Sequence, residues 1–274
     1  MLTTYLIIVF LGILVIATIV LRPFYTKFQR NKIGHTDFPV QWREILQKEW
    51  PQFQRIPDLL KEPLYARILV FLSEKKFYPC DGFELQEKHK LLIAAQACLL
   101  IVNKPYEYYD QLNSILIYPS AFLVKRSVAL ANGTLQDQES IHAGEAWSVG
   151  RVILSWDEVE SGMKNPSDGN NVVIHEFAHL LDYTSGDGNG APLLEHAKNY
   201  DKWSQVFSLS YEHLLQKYQH GEKVILNPYG LTSPAEYFAV VSELFFENSK
   251  LLEKHEPALH HELVKFYAVD PGLW

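Results

Sequence analysis

Cysteine is scarce in this chain. Only Cys80 and Cys98 occur among 274 residues, and neither has a C-x-x-C partner. No disulfide framework can be drawn from two thiols, so a reducing compartment is the simpler assignment and both read as small buried hydrophobes. Positive charge is also in short supply. Lys and Arg number 25 against 32 Asp and Glu, giving a formal net charge of −7, and that balance offers no nucleic-acid surface. Internal repeats and low-complexity segments are missing. What remains is a chain that is 47% hydrophobic, enough to bury a substantial core in one domain or two.

The N-terminus lacks any Lys or Arg before its first apolar run. That run, Leu2 to Leu21, is interrupted only by Thr3, Thr4, Gly12 and Thr18. As a helix rising about 1.5 Å per residue it would cross a hydrocarbon core of about 30 Å. A cleavable signal peptide would want a basic leader, a shorter core and a small-x-small cleavage site, and Val20-Leu21-Arg22-Pro23 is a poor one. The expectation is an uncleaved single-pass anchor over 1–21. Arg22, Lys27, Arg30 and Lys32 follow, with no acid before Asp37. Positive charge stays inside, so the bulk of the chain should face the cytoplasm from the inner membrane. The same four cations could touch anionic headgroups.

A basic juxtamembrane linker is expected over 22–44 and a single catalytic-type domain over 45–274. Its first part, 45–104, has helical spacing, with Ile45, Leu46, Leu59, Leu60, Ile68, Leu69, Phe71 and Leu72 on apolar faces. Lys88 to Val102 reads as a core helix too short to span a bilayer. In the second part, 105–274, Ser114 to Val124 reads as extended chain broken at Pro119, and Gly133 to Gly144 as polar loop. Gly150 to Trp156 reads as a short strand. It is either an edge strand taking substrate by backbone pairing or an ordinary core strand. Ser185 to Pro192, with three glycines, reads as a flexible loop, and Leu193 to Tyr218 as a helix. Asn227-Pro228-Tyr229-Gly230 is a turn. Ser233 and Pro234 open a last apolar helix to about Asn248, as N-cap and first helical residue. The fold class is therefore α+β, mostly helical with a small sheet, behind one transmembrane helix.

The stretch Asn171 to Asp182 carries the chemistry. Val172, Val173, Leu180 and Leu181 give it a helical apolar face, Asp168 to Asn171 supply N-caps, and Gly186 waits as a stop. His175 and His179 stand four apart and leave the same face one turn apart. With Glu176 between them they spell H-E-x-x-H, two imidazoles for one zinc ion and a carboxylate to handle a proton. Burying two histidines and a glutamate in so apolar a helix is costly without such a partner.

A catalytic zinc takes three protein ligands and keeps one position for water. The metzincin extension needs Gly at 182 and His at 185, where this chain has Asp182 and Ser185, and the reversed motif is absent. A downstream glutamate is the leading option. Glu236 and Glu243 lie seven apart on one helix face. Glu236 could merely close a capping box with Ser233, and Glu243 could ligate or accept a hydrogen bond from a ligand histidine. Spacing leaves the two open.

The joint pattern resembles one family. His175 to Asp182, Tyr229, the run Pro234 to Phe246, Leu116-Ile117-Tyr118-Pro119, Gly144-Glu145-Ala146-Trp147, Phe266-Tyr267 and Asp270-Pro271 are similar to the Mlc titration factor A family over about 45–271. These are glucose-regulated zinc peptidases with a zincin-type core. The resemblance implies one Zn2+ per chain held by His175, His179 and Glu236, Glu176 as general base, and Tyr229 as a transition-state stabiliser. It implies a peptide or protein substrate. It also implies a second class of function, sequestering a transcriptional repressor, with peptidase activity secondary. The chain departs from the pattern in its N-terminal apolar run.

Overall fold

The computed structural model describes residues 2–274 apart from 105–106, 121, 130–134, 143, 148–149 and 187. At 3, 7–9, 122–129, 135–142 and 144–147 it describes the backbone alone. In chain order the elements are α1 (Leu2–Gly34), α2 (Val40–Glu49), α3 (Asp58–Glu74), β1 (Lys76–Pro79), α4 (Glu87–Leu99), β2 (Ser114–Tyr118), β3 (Phe122–Ala129), β4 (Leu135–His142), β5 (Gly144–Trp147) and β6 (Arg151–Ser155). There follow α5 (Trp156–Lys164), α6 (Val172–Asp182), α7 (Tyr200–Gln219), α8 (Pro234–Glu247), α9 (Ser249–His255) and α10 (Pro257–Tyr267).

Helices dominate, and the sheet is small. Its order is β1-β2-β6-β5, with β1, β2 and β6 parallel and β5 antiparallel to β6. Ser114 pairs with both Lys76 and Arg151. Parallel strands are covered on both faces and read as apolar runs, as Ile115, Ile117, Val152 and Leu154 do here, all fully buried. β6 therefore lies inside the sheet, and the edge-strand reading of Gly150 to Trp156 fails. The edges are β1 and β5, and β5 packs beside α6. The stretch expected as a polar loop holds strand β4, paired with β3 from Phe122↔His142 to Ala129↔Leu135. A backbone ladder needs no apolar alternation to form, so polarity hid it. Gly133, in the same stretch, lies outside the described residues.

α6 packs chiefly on α8, with α4 and α5 also against it. Its apolar residues Val173, Ile174, Phe177, Ala178, Leu180 and Leu181 are all in the core. From α8, Phe238, Val241, Leu244 and Phe245 join them, as their spacing predicts.

α1 runs unbroken for 33 residues through Pro23, so residues 22–34 continue the helix where a linker was expected. By length and composition it can cross a membrane, a property it shares with N-terminal signal sequences. Its apolar residues between Leu2 and Leu21 whose side chains are described are exposed, apart from half-buried Ala17, and its last turns are docked. Arg30 binds Glu74 through two hydrogen bonds of 2.7 and 2.9 Å, reaches Asp110, and lies 4.3 Å over the Tyr108 ring. A Cβ on Gly34 would stand 3.3 Å from that of Ala66 on α3. Of the four cations expected at lipid headgroups, Arg30 is thus spent inside the protein.

The bend into β6 depends on one glycine. Gly150 has φ +74°, its carbonyl accepts from Asn113 and Ser114, and a Cβ there would meet the Gln111 carbonyl oxygen at 2.5 Å. Gly150→Ala should cost about 2 kcal/mol or more, read as a lower denaturation midpoint for the purified protein.

Candidate metal centre

α6 starts where Asn171 caps it. The Asn171 side-chain oxygen accepts the Ile174 N–H at 3.1 Å, and its carbonyl accepts that of His175 at 2.9 Å. The helix gives way at Asp182 to a 3-10 turn, Tyr183–Ser185, closed by left-handed Gly186 with φ 104°. Within these bounds His175 and His179 face the same way, one turn apart.

α8 brings the third side chain. His175 Nε2 and His179 Nε2 lie 3.2 Å apart, and Glu236 Oε2 is 3.0 Å from the first and 3.3 Å from the second. Metal–ligand bonds of about 2.0–2.2 Å in tetrahedral geometry separate ligand atoms by roughly 3.3–3.6 Å. Three electron-pair donors at nearly that spacing fit a single cation, and the two-nitrogen, one-oxygen donor set suits a metal of zinc's type. The three form a group that can hold a metal ion. Glu236 does not close a capping box. Ser233 Oγ accepts the Glu236 N–H at 3.2 Å, while the Glu236 carboxylate points to the imidazoles.

Glu243 stands on the other side of the ring. Its Oε1 is 2.8 Å from His175 Nδ1, and its Oε2 accepts the Asn171 N–H. That is the outer acceptor position, which fixes a histidine's tautomer and ring orientation. The charges respond to one another. Burial works against a positive His175, but hydrogen bonds to Glu236 and Glu243 raise its pKa well above the usual value. Burial likewise opposes the Glu236 carboxylate, yet the two histidines bring it down to about 2.

Glu176 is 2% exposed. With His175, Glu158, Asn171, Asn227 and Tyr229 it lines a cavity of about 340 Å³. Tyr229 sits in a 3-10 turn, Pro228–Leu231, whose start is capped by Asn227 accepting the Tyr229 N–H at 3.0 Å. Its ring centroid is 6.2 Å from that of His175. Burial, with Glu236 and Glu176 nearby, raises its pKa. Asp182 ties the following loop. Its Oδ2 accepts the Gly190 N–H at 2.7 Å, Trp203 Nε1 donates to the Gly190 carbonyl at 3.0 Å, and a Cβ on Gly190 would meet the Pro234 carbonyl oxygen at 2.5 Å. The loop expected to be flexible is anchored there, between the end of α6 and the start of α8; Asp187 in it lies outside the described residues.

One residue near the site escaped the sequence reading. Glu247 is 4% exposed and accepts the backbone N–H groups of Gly169 and Asn170 at 2.9 and 3.2 Å and the side-chain Nδ2–H of Asn171 at 3.1 Å. Burial pushes its carboxyl up to about 8, against the lowering effect of the Asn171 hydrogen bond. The signal was its spacing, four beyond Glu243 and so on the same face.

Known proteins match this chain over most of its length. A family model described as glucose-regulated metallo-peptidase M90 covers residues 25–268. An uncharacterised protein of Synechocystis is 33% identical over 250 residues, 91% of each chain. Mlc titration factor A of Cronobacter sakazakii is 31% identical over 247 residues, 88% of this chain and 91% of its own. Its namesake in Salmonella gallinarum is also 31% identical over 247 residues, 86% of this chain and 92% of its own. The chain belongs to the glucose-regulated metallo-peptidase M90 family.

Proposed function

We propose that this protein is a zinc-dependent peptidase, with His175, His179 and Glu236 as metal ligands and Glu176 as general base. One observation carries the reading. Three donor atoms from α6 and α8 converge within 3.3 Å beside a buried glutamate, at the wall of a cavity. An ion held by these three residues would keep a position for water, as catalytic rather than structural sites do.

When bound, zinc supplies Lewis acidity, polarising a carbonyl and bringing the pKa of water to about 7. The chain's own residues do the rest. Glu176 takes the proton of the attacking water and returns it to the leaving amine. Glu243 holds the His175 ring through Nδ1, leaving Nε2 to face the metal. The Tyr229 hydroxyl, on a short capped turn at the cavity, donates to the oxyanion that forms on the scissile carbonyl, a contact worth about 3 kcal/mol in comparable sites.

A second reading has its own support, since two of the relatives above bear the name Mlc titration factor A. On that reading the chain is a membrane-tethered protein that sequesters a transcriptional repressor, and peptide hydrolysis is secondary. The anchor is common to both. Residues 1–21 span the inner membrane once, and the metal-bearing domain of 45–274 faces the cytoplasm, because the cations of α1 follow its apolar run.

Glu176→Gln should retain zinc and lower kcat on a peptide library about 10²- to 10⁴-fold; parent-like cleavage would remove the base assignment. Glu236→Ala should lose bound zinc, measured by elemental analysis, and unchanged metal content would move the ligand role elsewhere. Hydrolysis that stops with a chelator and returns with zinc selects the enzyme over the pure binding protein. External protease on spheroplasts should spare the C-terminal domain, and its digestion would reverse the topology.

A further inference from the structure

Three carboxylates of α8 share one face: Glu236, then Glu243, then Glu247. The first two meet His175 and His179. The third meets no histidine, yet it is 4% exposed. Its Oε2 accepts the backbone N–H groups of Gly169 and Asn170, and its Oε1 accepts Asn171 Nδ2. The turn it grips leads straight into α6.

We propose that Glu247 is a positioning residue of the metal centre, fixing the Gly169–Asn171 turn against α8 and thereby the placement of His175. The inference rests on the peptidase reading for its consequence and on geometry for its substance. Asn171 Nδ2 points to two acceptors, Glu247 Oε1 at 3.1 Å and Gln96 Oε1 at 2.9 Å. Those two acceptors fix which way the amide faces, leaving Oδ1 to cap the Ile174 N–H. The next residue along is His175, whose N–H is held by the Asn171 carbonyl and whose Nδ1 is held by Glu243, itself bonded to the Asn171 N–H. The turn also lies directly on α8. Gly169 has φ +78°, and a Cβ there would stand 3.1 Å from Leu244 Cδ1. Glu243 and Glu247 thus grip the residues on either side of the helix start, one turn of α8 apart, and Glu236 meets what that start presents.

Glutamine at 247 cannot do this. Its amide has one accepting oxygen, so it can serve the two backbone N–H groups or Asn171 Nδ2, with its own NH2 facing a donor at the other end. Aspartate at 171 would reverse the mismatch at 247, accepting from that NH2 and still capping Ile174, while turning an oxygen toward Gln96 Oε1, a cost that the single and the double variant share.

The test uses the full-length protein in detergent. Zinc affinity is measured by chelator competition, and kcat and KM on a peptide library, for Glu247→Gln, Asn171→Asp and the double variant, with circular dichroism reporting the fold. Glu247→Gln should stay folded and lose about 10- to 100-fold in zinc affinity. Its kcat should fall with KM near the parent's. The double variant should be clearly less impaired than the two changes summed, a coupling that a general loss of stability does not produce. Parent-like zinc affinity in folded Glu247→Gln, or a double variant as weak as the two changes summed, would overturn the proposal. If the parent itself binds no zinc, the peptidase reading falls alone. Amide exchange at Ile174 and His175 then decides: faster exchange in Glu247→Gln supports the clamp, and unchanged protection sinks it.

Discussion

Everything in this molecule bends to the packing of α8 on α6, because that contact carries ionisable groups through an apolar core. Stripping water from a carboxylate or an imidazolium costs several kcal/mol per ion unless partners replace it. Here the three glutamates of α8 have such partners. Glu236 meets both imidazoles, Glu243 meets the far nitrogen of His175 and a backbone N–H, and Glu247 takes three N–H groups. Removing any one leaves another buried and unsatisfied, so the interface tolerates little displacement. A cation among the three inner donor atoms would complete this arrangement from within.

The surrounding structure holds the two helices in that relation. The small parallel sheet lies on one side with its apolar strands, and β5 runs beside α6 at the open edge. The far end of α6 is tied through Asp182 to Gly190, which abuts the first residue of α8. Trp203 of α7 closes the same junction from outside. Both ends of the site are therefore braced: the N-terminal end of α6 by side chains of α8, and the C-terminal end by a loop too close for any side chain but hydrogen at 190.

How much of this could be read from residues alone follows from the range of the interactions. His175 and His179 are related by helical spacing, and the Asn171 cap is three residues from the amide it accepts, so α6 was legible in full. Glu236 and Glu243 are seven apart on one face, and sequence spacing treats them alike. What separates them is where α8 crosses α6, a contact between residues some sixty positions apart. The sheet misled for a related reason. Arg151 to Ser155 is short and apolar, equally suited to an edge or a centre, and only pairing with β2 and β5 on its two sides places it inside. β4 was missed because its residues are polar and its order comes from backbone pairing with β3.

The N-terminal helix shows the same division between local and distant information. Its first twenty residues announce themselves by composition, and such exposed apolar length cannot rest in water without a bilayer or another cover. What composition could not show is that the helix does not end with its apolar run. It continues to Gly34, where Arg30 is held by Glu74 and Asp110 and the backbone presses on Ala66. Residues 22–34, expected to belong to a basic juxtamembrane linker, are helical, and Arg30 among them is paired within the protein. That end of the helix packs on α3, which carries Glu74 and Ala66.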